Sequence, residues 1–544
     1  MEQPPSRKST ILAMVLVLTM ITVFLYLMAR TSLFLVADYR WYEKSLALLL
    51  LFAEGFTMTH AFGYFMNLYR VISKPGRQPK LSTENVPELK GYPPIAVIVS
   101  SFKEPLHVVE DTLICFYNMT YPNKHIYFLD DTRYDLPGED LEEMRRYRGD
   151  IDALCKRIGV NLFRRKWRGA KAGMINDFLD FIEGRPGQGF EFHSFEDRSR
   201  TEMEKYIIVF DADMNPLPDF ADPLVAFMED NPRLAFIQTP QYYTNFETNR
   251  VARAAGLQQA VFYEYICEGK SMQDAMFCCG TNVIFRRDAL TDVGGFEESS
   301  VTEDFATSLK FHSRGWSSAY LNKVCAFGMG PEDLGGYFKQ QFRWALGTVG
   351  LFRQILGAFV RNPRLLSPHK WWEYFLSGTH YFIGWVLFVM ILCPILYQFF
   401  AVPSYFAHPE IYFLFFFPYI LLTVTLFIYS MSQRRYGFKE LGIGIVLQAI
   451  TFPVYMRASL LGILGVRGSF GITPKGGSKS LPLYSLWPQV LLAGTCSAAV
   501  VWSANRLYFE GEPVWAITIN GLWCAYHAVL LSAVIYFNHP EETP

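Results

Sequence analysis

The chain has 544 residues, of which 51% are hydrophobic, 16% aromatic and only 19% charged, with a formal net charge of −1. This composition excludes a disordered chain, and the balanced charge gives no reason to expect a nucleic-acid partner. Charge is also unevenly placed: charged residues make up about 14% of 1–70, about 25% of 71–372 and about 9% of 373–544, so a segment of ordinary globular polarity sits between apolar flanks.

In chain order, apolar runs near 10–29 and 45–68 are each long enough to cross a bilayer core of roughly 30 Å. Arg7 and Lys8 precede the first run and no small-residue cleavage site follows it, which argues against a removed leader. From Pro93 the pattern changes to alternating strands and helices. Ile95–Ser100, Lys124–Leu129 and Tyr206–Phe210 read as short strands, the second running into Asp130-Asp131 and the third into Asp211-Ala212-Asp213. Paired carboxylates at two strand ends predict an open α/β sheet with a ligand at that edge. Carboxylates one residue apart can also hold a hard divalent cation, Mg²⁺ or Mn²⁺, shared with phosphate oxygens.

Between these strands lies a basic stretch, Arg164-Arg165-Lys166-Trp167-Arg168 with Lys171, which reads as a solvated loop or as a source of a phosphate-facing lysine. Further on, Ser300 and Glu303 have capping-box spacing, so a helix should begin there with Asp304 in its first turn. That carboxylate is either an ordinary helix-dipole partner or a general base. In Gln340-Gln341-Phe342-Arg343-Trp344, the Arg suits a diphosphate and the indole a sugar face; membrane headgroups would suit both as well.

Four more apolar runs follow, near 374–400, 410–430, 486–505 and 514–536. Residues 441–465 are interrupted by Pro453 and Arg457. Arg434, Arg435 and Lys439 precede them, and Arg467, Lys475 and Lys479 follow, so both ends should lie on one side of the membrane. An interfacial amphipathic helix fits that better than a seventh span. Six spans put both termini and the globular middle in the cytoplasm, where the sequon Asn118-Met119-Thr120 would be idle. The nine cysteines lack C-x-x-C spacing and a histidine cluster, which fits free thiols without structural zinc.

Taken in order, Asp130-Asp131, Asp211-Ala-Asp213, Thr302-Glu303-Asp304 and Gln340 with Arg343-Trp344 closely resemble the motifs of membrane-embedded processive family-2 glycosyltransferases, above all the cellulose synthase branch. Ala170-Lys171-Ala172-Gly173 and Gln238-Thr-Pro-Gln241 resemble smaller family segments. Phe470-Gly-Ile472-Thr473-Pro-Lys475 resembles the gating loop that covers the nucleotide. The sequence departs from the pattern at Thr132-Arg133, where many relatives have glycine or serine, and in having two N-terminal spans rather than four. About eight residues follow the last span, too few for the PilZ domain through which cyclic di-GMP activates bacterial cellulose synthases.

The resemblance implies an α/β GT-A-type cytosolic glycosyltransferase domain inserted in an α-helical transmembrane bundle. The expected layout is a transmembrane hairpin (1–70), a linker (71–92), the catalytic domain (93–333) and interfacial helices with Q-x-x-R-W (334–372). A second hairpin (373–430), an interfacial helix (431–465), the gating loop (466–484) and a last hairpin (485–537) follow. It further implies an inverting, processive synthase that makes a β-glucan from UDP-glucose and exports it through a multi-pass plasma or inner membrane, with Mg²⁺ or Mn²⁺ and accessory export subunits. Asp304 would be the base, supported by Glu303 and Thr302. Ser101, Phe102, Glu104, Asp130, Asp131, Lys171, Asp211, Gln340 and Arg343 would bind the UDP-sugar, and Asp213 with Asp211 the metal. Trp344, Cys279 and Gly280 would meet the growing polysaccharide acceptor, and Phe470, Ile472, Thr473 and Lys475 would close over the nucleotide. Trp371, Trp372 and Tyr374 would line a channel entrance or sit in an interface belt. A hyaluronan-, chitin- or poly-N-acetylglucosamine-type synthase remains open, as does a non-processive lipid-linked transferase. A transporter with a degenerate nucleotide-binding domain is a reading from another class, against which the late spans carry almost no ionisable residues.

Overall fold

The computed structural model of the chain describes residues 7–72, 81–134, 140–196, 202–405, 408–466, 479–511 and 513–539. The middle segment forms an eight-stranded sheet from β1 (Ile95–Ser101), β2 (Lys124–Asp130), β3 (Asn161–Arg164), β4 (Glu191–His193), β5 (Tyr206–Asp211), β7 (Leu234–Gln238), β9 (Val283–Arg286) and β10 (Ser317–Tyr320). A small second sheet joins β6 (Asn215–Pro216), β8 (Tyr242–Tyr243) and β11 (Ala326–Gly328). The large sheet runs β10-β7-β9-β5-β1-β2-β3-β4; β1 pairs parallel with β2 and β5, while β9 runs antiparallel to β5 and β7.

β1 and β5 are continuous apolar runs because both sheet faces are covered. Val97, Val99 and Phe210 pack with Phe116 and Leu224 on one face, and Ala96, Ile98 and Val209 with Met174 and Phe178 on the other. The chain passes from β1 to β2 on one side and returns later to β5 on the other. That reversal opens a crevice above the carboxyl ends of β1 and β5.

Among the described residues, six helices are long and apolar enough to cross a membrane: Thr10–Val36, Trp41–Ile72, Pro368–Phe400, Pro409–Ser432, Leu483–Phe509 and Val514–Asn538. Met14, Phe24, Phe52, Leu414, Val501 and Leu522 point outward from them, as lipid-facing side chains do. The chain thus has a multi-pass membrane architecture. Within the interfacial stretch expected over 431–465, the interruption at Pro453 takes the form of a bend between two helices. Phe438–Ile450 and Phe452–Ile463 are two helices bent by 51°, broken at Thr451, with Pro453 in the first turn of the second, where proline tolerates only a helix start. By length and composition the bent pair could count as one further span.

The Gln340–Trp344 motif lies on a single amphipathic helix, Leu334–Arg361, whose N-cap Asp333 accepts a hydrogen bond from Gly336 N at 2.6 Å. A buried ion cluster ties the domain to the helices. The Lys270 ammonium lies 3.2 Å from the Glu373 carboxylate, and Arg70 of the second apolar helix donates to Glu373 Oε1 at 2.7 Å.

Candidate active site

A cavity of about 250 Å³ fills the crevice. Its lining comes from the ends of β1, β2, β3 and β5, from the segments after β7 and β11, from Cys279 and from the helix Leu334–Arg361. Of the expected residues, Phe102, Glu104, Asp131, Lys171, Asp211, Asp213, Cys279, Gln340, Arg343 and Trp344 line it. Ser101, Asp130, Gly280, Thr302, Glu303 and Asp304 stand behind this wall. Phe470, Ile472, Thr473 and Lys475 lie outside the described residues.

Asp130 and Asp131 part company. The Asp130 carboxylate, 3% exposed, accepts hydrogen bonds from Arg164 Nε at 2.7 Å and the Tyr134 hydroxyl at 2.6 Å, which turns it away from the cavity. A direct ligand contact expected of Asp130 is therefore not what its surroundings offer; it braces the strand end. Asp131 faces the cavity, 3.0 Å from Arg165, and burial pushes its carboxyl up to about 7. Arg164 and Arg165 are consequently buried ion-pair partners rather than members of a solvated loop. From the same stretch, Trp167 and Lys171 enter the cavity.

Lys171, at the start of the helix Ala170–Ile182, pairs with the Asp211 carboxylate and donates to the Gly280 carbonyl at 2.8 Å. Burial alone would lower its pKa; Asp211, Glu303 and Asp304 outweigh that and raise it. The Gly280 loop is pinned from β7: Gln238 accepts from Cys279 N at 2.8 Å and donates to the Thr281 carbonyl at 2.7 Å. Gly280 has φ +84°, and a Cβ there would lie 3.0 Å from Asp304 Oδ2, so the carboxylate rests on the bare face of the glycine.

The helix carrying Asp304 spans Glu303–Ser313, and its N-cap is Thr302, without a side-chain capping bond. The expected Ser300–Glu303 capping box does not form. Instead Ser300 Oγ accepts from Thr302 N at 3.2 Å, and Asp304 Oδ1 accepts from Phe305 N at 2.7 Å. Ser308 bridges helix and loop, donating to the Asp304 carbonyl and accepting from Cys278 N, both at 2.8 Å. Burial raises the carboxyls of Glu303 and Asp304, to about 7 and about 6; Lys171 opposes both shifts. Trp371 and Tyr374 are buried beneath this helix, with Tyr374 stacked on Phe305 at 5.5 Å and bonded to His312 at 2.7 Å. They support it rather than line a channel.

The expected set did not include Arg133, Trp167, Gln241, Tyr243, Met329, Gly330, Pro331 and Glu332 as lining residues. The last four follow β11, and the turn composition Gly328-Met-Gly-Pro331 is the only mark they leave in the sequence.

Profile comparison matches residues 96–294 to "Glycosyl transferase family 2" and 206–429 to "Glycosyl transferase family group 2". The chain is 26% identical over 512 residues to Cellulose synthase 2 of Novacetimonas hansenii, covering 91% of this chain and 29% of that protein. It is also 26% identical over 490 residues to the UDP-forming cellulose synthase catalytic subunit of Pseudomonas fluorescens (strain SBW25), covering 87% and 59%. The chain therefore spans about a third to three-fifths of the length of these relatives. Among solved structures, the mannosyltransferase PcManGT of Pyrobaculum calidifontis, in complex with GDP-Man and Mn²⁺, superposes with a TM-score of 0.48 at 15% identity, over 78% of this chain and 100% of its own. On these matches the chain belongs to the family-2 glycosyltransferases and is cellulose synthase-like.

Proposed function

We propose that the chain is a processive inverting synthase that builds a β-glucan from UDP-glucose and passes it across the membrane. The carrying observation is a convergence: the Asp211/Asp213 strand end, the Lys171–Gly280–Asp304 cluster and Gln340, Arg343 and Trp344 meet at one cavity. The last three sit on a helix whose interleaved residues Phe342, Ala345 and Leu346 pack against Tyr455 and Ala458 of the apolar helices.

Asp304 takes the proton of the acceptor hydroxyl. Its raised pKa makes it a stronger base than an exposed aspartate, while it remains ionised at neutral pH. Lys171 holds the surrounding carboxylates in a tolerable field. Gln340, whose buried Oε1 has no partner among the described residues, and Arg343 steady the diphosphate, and Trp344 stacks on the acceptor sugar. Glu104, Phe102 and Asp131 take the nucleoside end.

Asp211 and Asp213 fit a divalent cation. Both line the cavity, the Asp211 side chain stays 46% exposed despite Lys171, and no group of three or more His, Cys, Asp or Glu converges among the described residues. An ion with few protein ligands would complete its shell with phosphate oxygens and water, as suits Mg²⁺ or Mn²⁺, and would neutralise the departing diphosphate. Residues 93–333 form the catalytic unit in this reading, 466–484 the gating loop, and the basic residues flanking 441–465 orient the domain and both termini to the cytoplasm.

The test is incubation of purified protein with each UDP-sugar and Mg²⁺ or Mn²⁺, followed by linkage-specific glucanase digestion. UDP-glucose should yield a glucanase-sensitive polymer. Polymer from UDP-N-acetylglucosamine alone would shift the product to an amino-sugar glycan, and UDP release from no donor would defeat the reading.

A further inference from the structure

The cavity floor is laid out along the sheet. Adjacent strands lie about 4.8 Å apart, so the order β5-β1-β2-β3 puts the end of β3 roughly 14 Å from the end of β5. Asp211 and Asp213 follow from β5, Phe102 from β1, Asp131 and Arg133 from β2, and Trp167 from β3, and all line the cavity. A nucleotide-sugar whose diphosphate sits at Asp211 and Asp213 thus extends its nucleobase toward Arg133 and Trp167. There the Arg133 guanidinium lies over the Trp167 indole, 3.1 Å from the ring centroid. The stack fixes its plane. Its buried Nε has no acceptor among the described residues. Asp131 lies beside it, turned into the same cavity.

We infer that Arg133, held flat by Trp167, reads the donor's nucleobase and selects uracil, donating to its 4-carbonyl while Asp131 accepts the neighbouring ring N–H. This rests on the nucleotide-sugar reading above. Uracil presents carbonyl, N–H and carbonyl along one edge. Cytosine presents an amino group and a bare ring nitrogen instead, so donor would meet donor and acceptor would meet acceptor. A buried mismatch of that kind costs more than a missing hydrogen bond.

The experiment is equilibrium binding of UDP, CDP and GDP to the full chain in detergent with Mg²⁺, without turnover. Wild type should prefer UDP to CDP by at least about tenfold, the value of one charged hydrogen bond, and should also prefer it to GDP. Arg133→Ala should lower the UDP/CDP ratio by about tenfold, the share of that one charged hydrogen bond, while the discrimination that Asp131 makes at the ring N–H remains. Arg133→Lys, which keeps the charge but loses the planar fork, should lower the ratio too. Trp167→Ala should follow Arg133→Ala, while Trp167→Phe retains the preference. Equal weakening of UDP and CDP in Arg133→Ala would mean a phosphate contact and overturn the inference, as would wild type that binds CDP or GDP as tightly as UDP. Wild type that binds no nucleotide would overturn the donor reading itself.

Discussion

Gly347, midway along the helix Leu334–Arg361, lies against Thr302: a Cβ on it would stand 2.5 Å from Thr302 Cγ2 and 3.1 Å from Thr302 N. The residue that starts the Asp304 helix therefore rests on the helix that carries Gln340, Arg343 and Trp344. Gly347→Ala should push the two apart, with a penalty of about 1–3 kcal/mol and a fall in transfer rate greater than the fall in UDP affinity. Gly350→Ala is the control. A Cβ there meets nothing within 4 Å, so alanine's helix propensity should leave stability unchanged or improve it by up to about 1 kcal/mol. Thermal melting and steady-state rates of the two variants separate these outcomes.

The acid limb of the rate profile should report Asp304. The carboxyl must be ionised to accept a proton, and burial raises it to about 6, so the rate should fall as pH drops through about 6, by roughly tenfold per unit below it. Lys171 holds this carboxyl down. Lys171→Met should therefore move the limb to higher pH as well as slow the reaction; a limb that stays in place would remove Lys171 from the electrostatics of the base.

The buried cluster at the junction of domain and membrane helices predicts a loss of stability. Glu373 is 1% exposed and faces both Lys270 and Arg70. Glu373→Ala leaves two cations without their carboxylate and should cost about 3–5 kcal/mol, read as a lower melting temperature in detergent. The pair replacement Lys270→Met with Glu373→Leu should cost less than Glu373→Ala alone.

Much of this site was legible because local sequence dictates it. β1, β2 and β5 are short runs rich in β-branched and aromatic residues, and the acidic pairs stand at the ends of β2 and β5. What stayed hidden depends on distant partners. Nothing near Asp130 announces that Arg164, a strand away, will claim its carboxylate. Ser300 and Glu303 have the spacing of a capping box, but the crowding of Thr302 against Gly347 accompanies a helix that starts two residues later than that box requires. Pro453 marked an interruption correctly, yet whether the chain would bend or merely end there depended on packing against the helix Leu334–Arg361. Tyr243 and Gly330 reach the cavity together because a Cβ on Gly330 would strike the Tyr243 ring at 2.8 Å, a fit between segments nearly ninety residues apart.

The central claim is that Asp304, resting on Gly280, is the base of a glycosyl transfer. Asp304→Asn keeps the shape of the side chain and its hydrogen bond from Phe305 but removes the proton acceptor. Measured beside wild type, it should bind UDP with unchanged affinity while transfer from the UDP-sugar falls by roughly 10²–10⁴-fold. Polymer synthesis near the wild-type rate by a variant that still binds UDP would contradict the account.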